Sequence, residues 1–179
     1  MSEKKDFEFL KELASEFFKK RSVVKTLMFI DEYNMSGWEA WMQIEFSKFC
    51  SEYEYIAEWC REERYELDKR MSKEKNVCAI DFSLRQKHKQ TWVALELKQK
   101  NRASSCIKSM LNDVVKISKI KKSNDDIRTI WCLGVHKIED EKKLIGHVAR
   151  YEVEFDLEIK RKLFHTKRIG KSAYSFTLF

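Results

Sequence analysis

The sequence predicts an α/β protein, and three observations carry that prediction. Stretches with apolar residues at helical spacing alternate along the chain with stretches of two-residue period. One segment, 127–135 (IRTIWCLGV), is almost wholly apolar, as a strand buried on both faces is. Finally, residues 76–100 (NVCAIDFSLRQKHKQTWVALELKQK) read as two strands joined by a polar turn.

Taken in order, residues 5–20 space Phe7, Leu10, Leu13, Phe17 and Phe18 as an amphipathic helix, and residues 22–33 form a second, shorter one. These two are expected to make an N-terminal helical appendage over residues 1–34, for packing or dimerisation, ahead of a main domain over 35–179. Asn34-Met35-Ser36-Gly37 is the first clear break. A helix over 38–52 follows; residues 55–67 fit strand or helix by pattern and are read as a strand from position and aromatic content. The two strands of 76–100 come next. Residues 103–120 repeat Ala103, Ile107, Met110, Val114 and Ile117 as one buried helical stripe. Beyond the 127–135 strand, the pattern predicts a short helix over 138–148 and a half-exposed strand over 150–160. A terminal strand over 174–179 would pair with the latter as a C-terminal β-hairpin.

The chain has 179 residues, 43% of them hydrophobic and 13% aromatic, which suits one folded domain rather than disorder. No apolar run approaches the ~20 residues of a membrane span, and the N-terminus lacks a signal-peptide core. A cytoplasmic protein with no membrane partner is expected. The five cysteines form no CxxC pair and sit in apolar patterns, so neither a zinc site nor a disulfide framework is predicted. The net charge of +7 is compatible with a polyanion and specifies none.

Charge inside apolar strands is the anomaly. On the first strand of 76–100, Val77, Ala79, Asp81 and Ser83 share a face, with Cys78, Ile80, Phe82 and Leu84 opposite. On the second, Trp92, Ala94, Glu96 and Lys98 share a face. Asp81, Glu96 and Lys98 must pair with one another, bind a metal, or do both, because isolated charge in such surroundings is costly. The 38–52 helix has a similar oddity. At about 100° per residue, Glu45 falls within the arc of Trp38, Trp41, Met42 and Phe49, with Glu39 and Gln43 off to one side toward solvent. Glu45 therefore needs a cation, from a metal site or from a basic side chain at the core edge, or must hold its proton. The basic run at the end of the 103–120 helix, with Lys116, Lys119, Lys121 and Lys122, either follows a phosphate backbone or complements the helix dipole. Trp38, Trp41 and Trp92 belong to apolar stripes and are expected in the core.

Asp81 followed fifteen residues later by Glu96-Leu97-Lys98, on adjacent strands and after an acid-bearing helix, resembles the PD-(D/E)xK nuclease superfamily. The likeness covers residues 37–136, with Ile80 where the motif has proline. It implies a restriction-endonuclease-like core, of order helix, three strands, helix, strand, with a mixed central sheet flanked by helices. It also implies a Mg²⁺-dependent nuclease, Mn²⁺ substituting, with DNA favoured over RNA and a setting in phage or prokaryotic defence. Asp81, Glu96, the Leu97 carbonyl and Glu45 would hold the ion, and Lys98 would act on the attacking water or on the phosphate. Lys100 would touch substrate with the lysines of the basic run, and Glu63 and Gln99 would support the site from behind. The size of the chain suggests a homodimer or a partner that supplies specificity. The alternative is a catalytically inactive relative that binds nucleic acid or another protein.

Overall fold

The computed structural model describes residues 3–72, 75–120 and 127–179. Helices α1 (Glu3–Lys19), α2 (Arg21–Glu32) and α3 (Glu39–Glu52) come first. Strands β1 (Ile56–Glu66), β2 (Val77–Gln86) and β3 (Trp92–Gln99) follow, then α4 (Ala103–Ile117) and β4 (Ile127–Lys137). Helix α5 (Glu141–Phe155) and strands β5 (His165–Arg168) and β6 (Tyr174–Leu178) complete the chain. The strands form one mixed sheet of order β1-β2-β3-β4-β6-β5. Among the described residues only β3 and β4 are parallel neighbours, and α4 is the crossover such a pair requires.

The helices lie in two layers. Phe7, Phe17, Leu27, Met42 and Phe46 of α1–α3 bury one sheet face with Leu84, Val93, Leu95, Leu97, Leu133 and Val135. Helices α4 and α5 cover the other, where Cys106, Ile107, Met110 and Val148 enclose Cys132. Alternation along β3 and β4 explains the division, since Val93, Leu95 and Leu97 face the first layer while Glu96 and Lys98 face α4. Gly134 lets α4 come close: a Cβ there would lie 2.4 Å from the Met110 sulfur and 2.8 Å from the Cys106 sulfur.

The N-terminal helices pack on the sheet: the Phe7 ring lies tilted at 5.6 Å from Trp131, and Phe17 and Phe18 contact Phe46 and Phe176 at 5.1 and 5.0 Å. One expectation is corrected: 150–160 is not a strand. Leu144, Val148 and Tyr151 recur at helical spacing and are buried, so α5 runs on through Phe155. The alternation read there was incidental, as Val153 is 84% exposed. The hairpin does exist, but it pairs β6 with the basic segment at β5, and β6 also bonds β4.

A buried ion pair fastens α1 to the sheet. Asp6, only 3% exposed, accepts from Arg128 Nη2 at 2.9 Å and Nε at 3.0 Å, and from Thr129 Oγ1 at 3.0 Å. Arg128 also donates to Gln86 Oε1 at 2.6 Å and to the Thr91 carbonyl, so α1, β4 and the β2–β3 turn share one cation. Removing one partner of such a pair strands the other. Asp6→Ala is expected to lower the urea-unfolding free energy by about 3 kcal/mol, and a loss no larger than that of an exposed substitution would show that the network carries no load.

Candidate functional site

The β2–β3 ladder holds for Phe82↔Leu95, Ser83↔Ala94 and Leu84↔Val93 and then stops. Where Asp81 and Glu96 would face each other, side chains take over the backbone's hydrogen bonds. The Leu97 N–H donates to Asp81 Oδ2 at 2.9 Å, and the Asp81 N–H donates to Glu96 Oε1 at 3.3 Å. Each carboxylate thus satisfies a peptide group of the opposite strand and holds the two strands apart. On the outer side, β1 is interrupted at the same level. Its pairing with β2 runs through Arg61↔Phe82 and Glu63↔Ile80 but skips Glu62 and Asp81, and Glu62 has a left-handed φ of 55°. Ile80 shares this irregularity: it packs with Ala94 and Ile117 of the α4 layer instead of following Phe82 to α3.

Helix α4 completes the cluster with two residues. Lys98 Nζ lies 2.9 Å from Asp113 Oδ2, but 3.7 Å from Glu96 Oε2 and 3.8 Å from Asp81 Oδ2. Lys116 Nζ lies 3.4 Å from Glu96 Oε2 and 3.2 Å from Asp113 Oδ1. Three carboxylates and two ammonium groups therefore meet in one place, one negative charge in excess when all are ionised. Glu96 is fully buried. Burial and the charge of Asp81 push its pKa up, Lys116 pulls it back, Asp113 adds to the rise, and it stands at about 7. Burial pulls the pKa of Lys98 down, but Asp113, Asp81 and Glu96 outweigh it and hold it above the ordinary lysine range. Lys116 is raised likewise by Glu96 and Asp113 against its burial.

Asp81, Glu96, Lys98 and the Leu97 peptide are thus brought together on one face. Glu63, placed behind them by the sequence, is reached through a relay: the Tyr65 hydroxyl donates to Glu63 Oε2 at 2.8 Å and lies 3.2 Å from the Ser83 hydroxyl, two residues from Asp81. Burial above all, with Glu63 adding to it against the Ser83 contact, pushes the Tyr65 pKa up to about 12. Gln99 is buried, and its N–H donates to Glu39 Oε2 at 2.9 Å.

Glu45 does not join them. It is half-buried on α3, in the layer on the opposite sheet face, and makes no hydrogen bond or ion pair with Asp81, Glu96 or Lys98. Met42 and Phe46, at 1% and 0% exposure, turn the buried arc of α3 away from Glu45. The α3 acid that reaches β3 is Glu39, which the sequence pattern had turned toward solvent, and Gln43 is buried with its carbonyl on Arg61 at 2.7 Å. Among the basic residues, Lys116 points into the carboxylates instead of along the surface, Lys119 is half-buried, and Lys100 is exposed. Lys121 and Lys122 lie outside the described residues.

Asp113 escaped the sequence reading although it carried the signal used for Glu45. It lies on α4 three residues after Met110 and four before Ile117, so a carboxylate sits on a buried stripe. By type, the donors suit a hard divalent cation: Asp81 and Glu96 are anionic oxygen ligands, and Mg²⁺ is commonly held by one or two carboxylates with water filling the rest. Among the described residues, though, no three Asp, Glu, His or Cys side chains are grouped to hold an ion. The lysine ammonium groups stand between the acids. Comparison with known proteins gives no match, neither to a family model nor to a curated protein or solved structure.

Glu96 gives the site a pH signature. Its pKa rises from the ordinary 4.5 to about 7 on folding. The protonated form is therefore favoured in the fold, and this contribution is whole below pH 4.5 and lost as pH climbs through 7. Denaturant titrations of the metal-free protein should show stability falling by about 2–3 kcal/mol between pH 5 and 8 relative to Glu96→Gln. Parallel pH profiles for the two proteins would contradict this.

Proposed function

We propose that the protein is a metal-dependent nuclease of the PD-(D/E)xK type, hydrolysing phosphodiester bonds, with DNA the favoured substrate. The observation that carries this reading is the meeting of Asp81, Glu96 and Lys98, with nitrogen–oxygen separations of 3.7–3.8 Å, where the β2–β3 ladder opens. The element order from α3 through β4 (helix, three strands, helix, strand) supports a restriction-endonuclease-like core.

Phosphodiester hydrolysis needs a nucleophilic water, neutralisation of the phosphate charge, and help for the leaving oxygen. A Mg²⁺ held by Asp81 and Glu96 would supply Lewis acidity and a more acidic water. This chain's own groups do the rest. Glu96, buried, turns Oε2 to the Lys98 and Lys116 ammonium groups while Oε1 stays on the Asp81 N–H. Asp81 keeps Oδ2 on Leu97 N–H, which fixes the direction of its other oxygen. Lys98, anchored at 2.9 Å by Asp113, presents a fixed ammonium to the phosphate or to the attacking water. Glu39, bonded to the Gln99 N–H, steadies the end of the strand that carries Lys98.

One observation favours the second reading, a nuclease fold without activity that binds nucleic acid or a protein partner. Each carboxylate of the cluster already has a lysine within 4 Å, so charge is partly compensated without an ion. A single assay separates the two. Supercoiled and linear DNA and single-stranded RNA are incubated with Mg²⁺ or Mn²⁺, with and without chelator, beside Lys98→Ala. The nuclease reading expects chelator-sensitive cleavage, reduced at least ~100-fold by the substitution with binding nearly intact. Binding without cleavage of any substrate would replace it with the second reading.

A further inference from the structure

Two acids of the cluster, Glu96 and Asp113, face each other across an ammonium group. Lys116 Nζ stands 3.4 Å from Glu96 Oε2 and 3.2 Å from Asp113 Oδ1, while the other Asp113 oxygen holds Lys98 at 2.9 Å. Lys116 reaches this place from the last turn of α4, three residues after Asp113, so its backbone position is fixed by the helix that supplies the acid. The close approach of α4 to β4 at Gly134, the β4 residue paired with Lys98, brings the pair against β3.

Nucleases of many folds place two divalent ions about 3.5–4 Å apart, bridged by a shared carboxylate. Among the described acids, Glu96 stands in position to be shared: its Oε1 lies on the Asp81 N–H, and its Oε2 lies on Lys116, which also contacts Asp113. On the first side, toward Asp81, the nearest ammonium is Lys98, 3.7 Å from Glu96 and 3.8 Å from Asp81. The second is filled by Lys116, whose charge satisfies the same two carboxylates that a second ion would need. We propose that Lys116 is a built-in cation occupying the place of a second divalent ion, so that the site takes a single one, between Asp81 and Glu96. Asp113 then serves as a positioning residue. It grips Lys98 and Lys116 together and holds the Lys98 ammonium 3.7 and 3.8 Å from Glu96 and Asp81, against 2.9 Å from itself.

This rests on the nuclease reading, and Mn²⁺ binding to the full chain tests the two separately. Calorimetry gives the stoichiometry, and electron paramagnetic resonance distinguishes an isolated Mn²⁺ from a spin-coupled pair. The wild-type chain is expected to bind one ion with an uncoupled spectrum. Lys116→Met should bind two with a coupled spectrum, Lys116→Arg should return to one, and Lys116→Met with Asp113→Asn should also bind one. Circular dichroism checks that each variant folds. Two coupled ions in the wild-type protein, a result that needs no variant, would overturn the inference and leave the nuclease reading standing. A single ion in folded Lys116→Met would overturn it equally. Failure of the wild type to bind Mn²⁺, with or without a non-cleavable phosphorothioate duplex, would sink the nuclease reading itself.

Discussion

The structure turns on an exchange between side chain and backbone. Asp81 and Glu96 each bond a peptide N–H of the neighbouring strand, at 2.9 and 3.3 Å, in place of ladder bonds. A peptide donor left bare in a buried sheet costs as much as a lost hydrogen bond, so the carboxylates are structural before they are anything else. The same exchange opens β2 from β3 and aims two acids at the gap. Charge follows from it: burying Glu96 among acids creates a deficit of positive charge, which Lys98 and Lys116 meet in part. Because breaking a buried pair is far more damaging than the pair is stabilising, each of the five charged groups depends on the others.

The two helical layers serve this arrangement differently. On one face, aromatic packing of α1 and α3 against β2 and β4 is dense and apolar, with Phe46 against Phe17 and Phe82 at its middle. On the other, α4 comes down onto β4 at Gly134 and contributes acid and base as well as apolar contacts. The rigid face sets the height of the strands, and the mixed face sets the charges.

Much of this was legible in the sequence. The period of two along 92–98 placed Glu96 and Lys98 on one face, because alternation depends only on strand geometry, while along 77–84 it failed at Ile80, beside Asp81. The rest depended on phase and on partners. Glu45 and Glu39 lie on the same helix, and which one met β3 was decided by Met42 and Phe46 seating α3, a tertiary effect that wheel angles do not contain. Lys116 read as part of a basic run because its acids, Glu96 and Asp113, are neighbours only after α4 crosses from β3 to β4. In 150–160, short alternation and helical spacing coincided, and Tyr151 fits both; the buried partners of α5 chose between them.

The left-handed Glu62 has a bearing on assembly. Strand β1 is one of the two outer strands of the sheet, eleven residues long, and an outer strand of that length invites another chain to pair along it. A residue at φ 55° in its middle breaks the run of outward amide and carbonyl groups, and charged side chains at Glu58, Arg61, Glu63 and Arg64 flank the break. The deformation that accompanies the carboxylate cluster thus also blunts an edge strand against pairing with another chain.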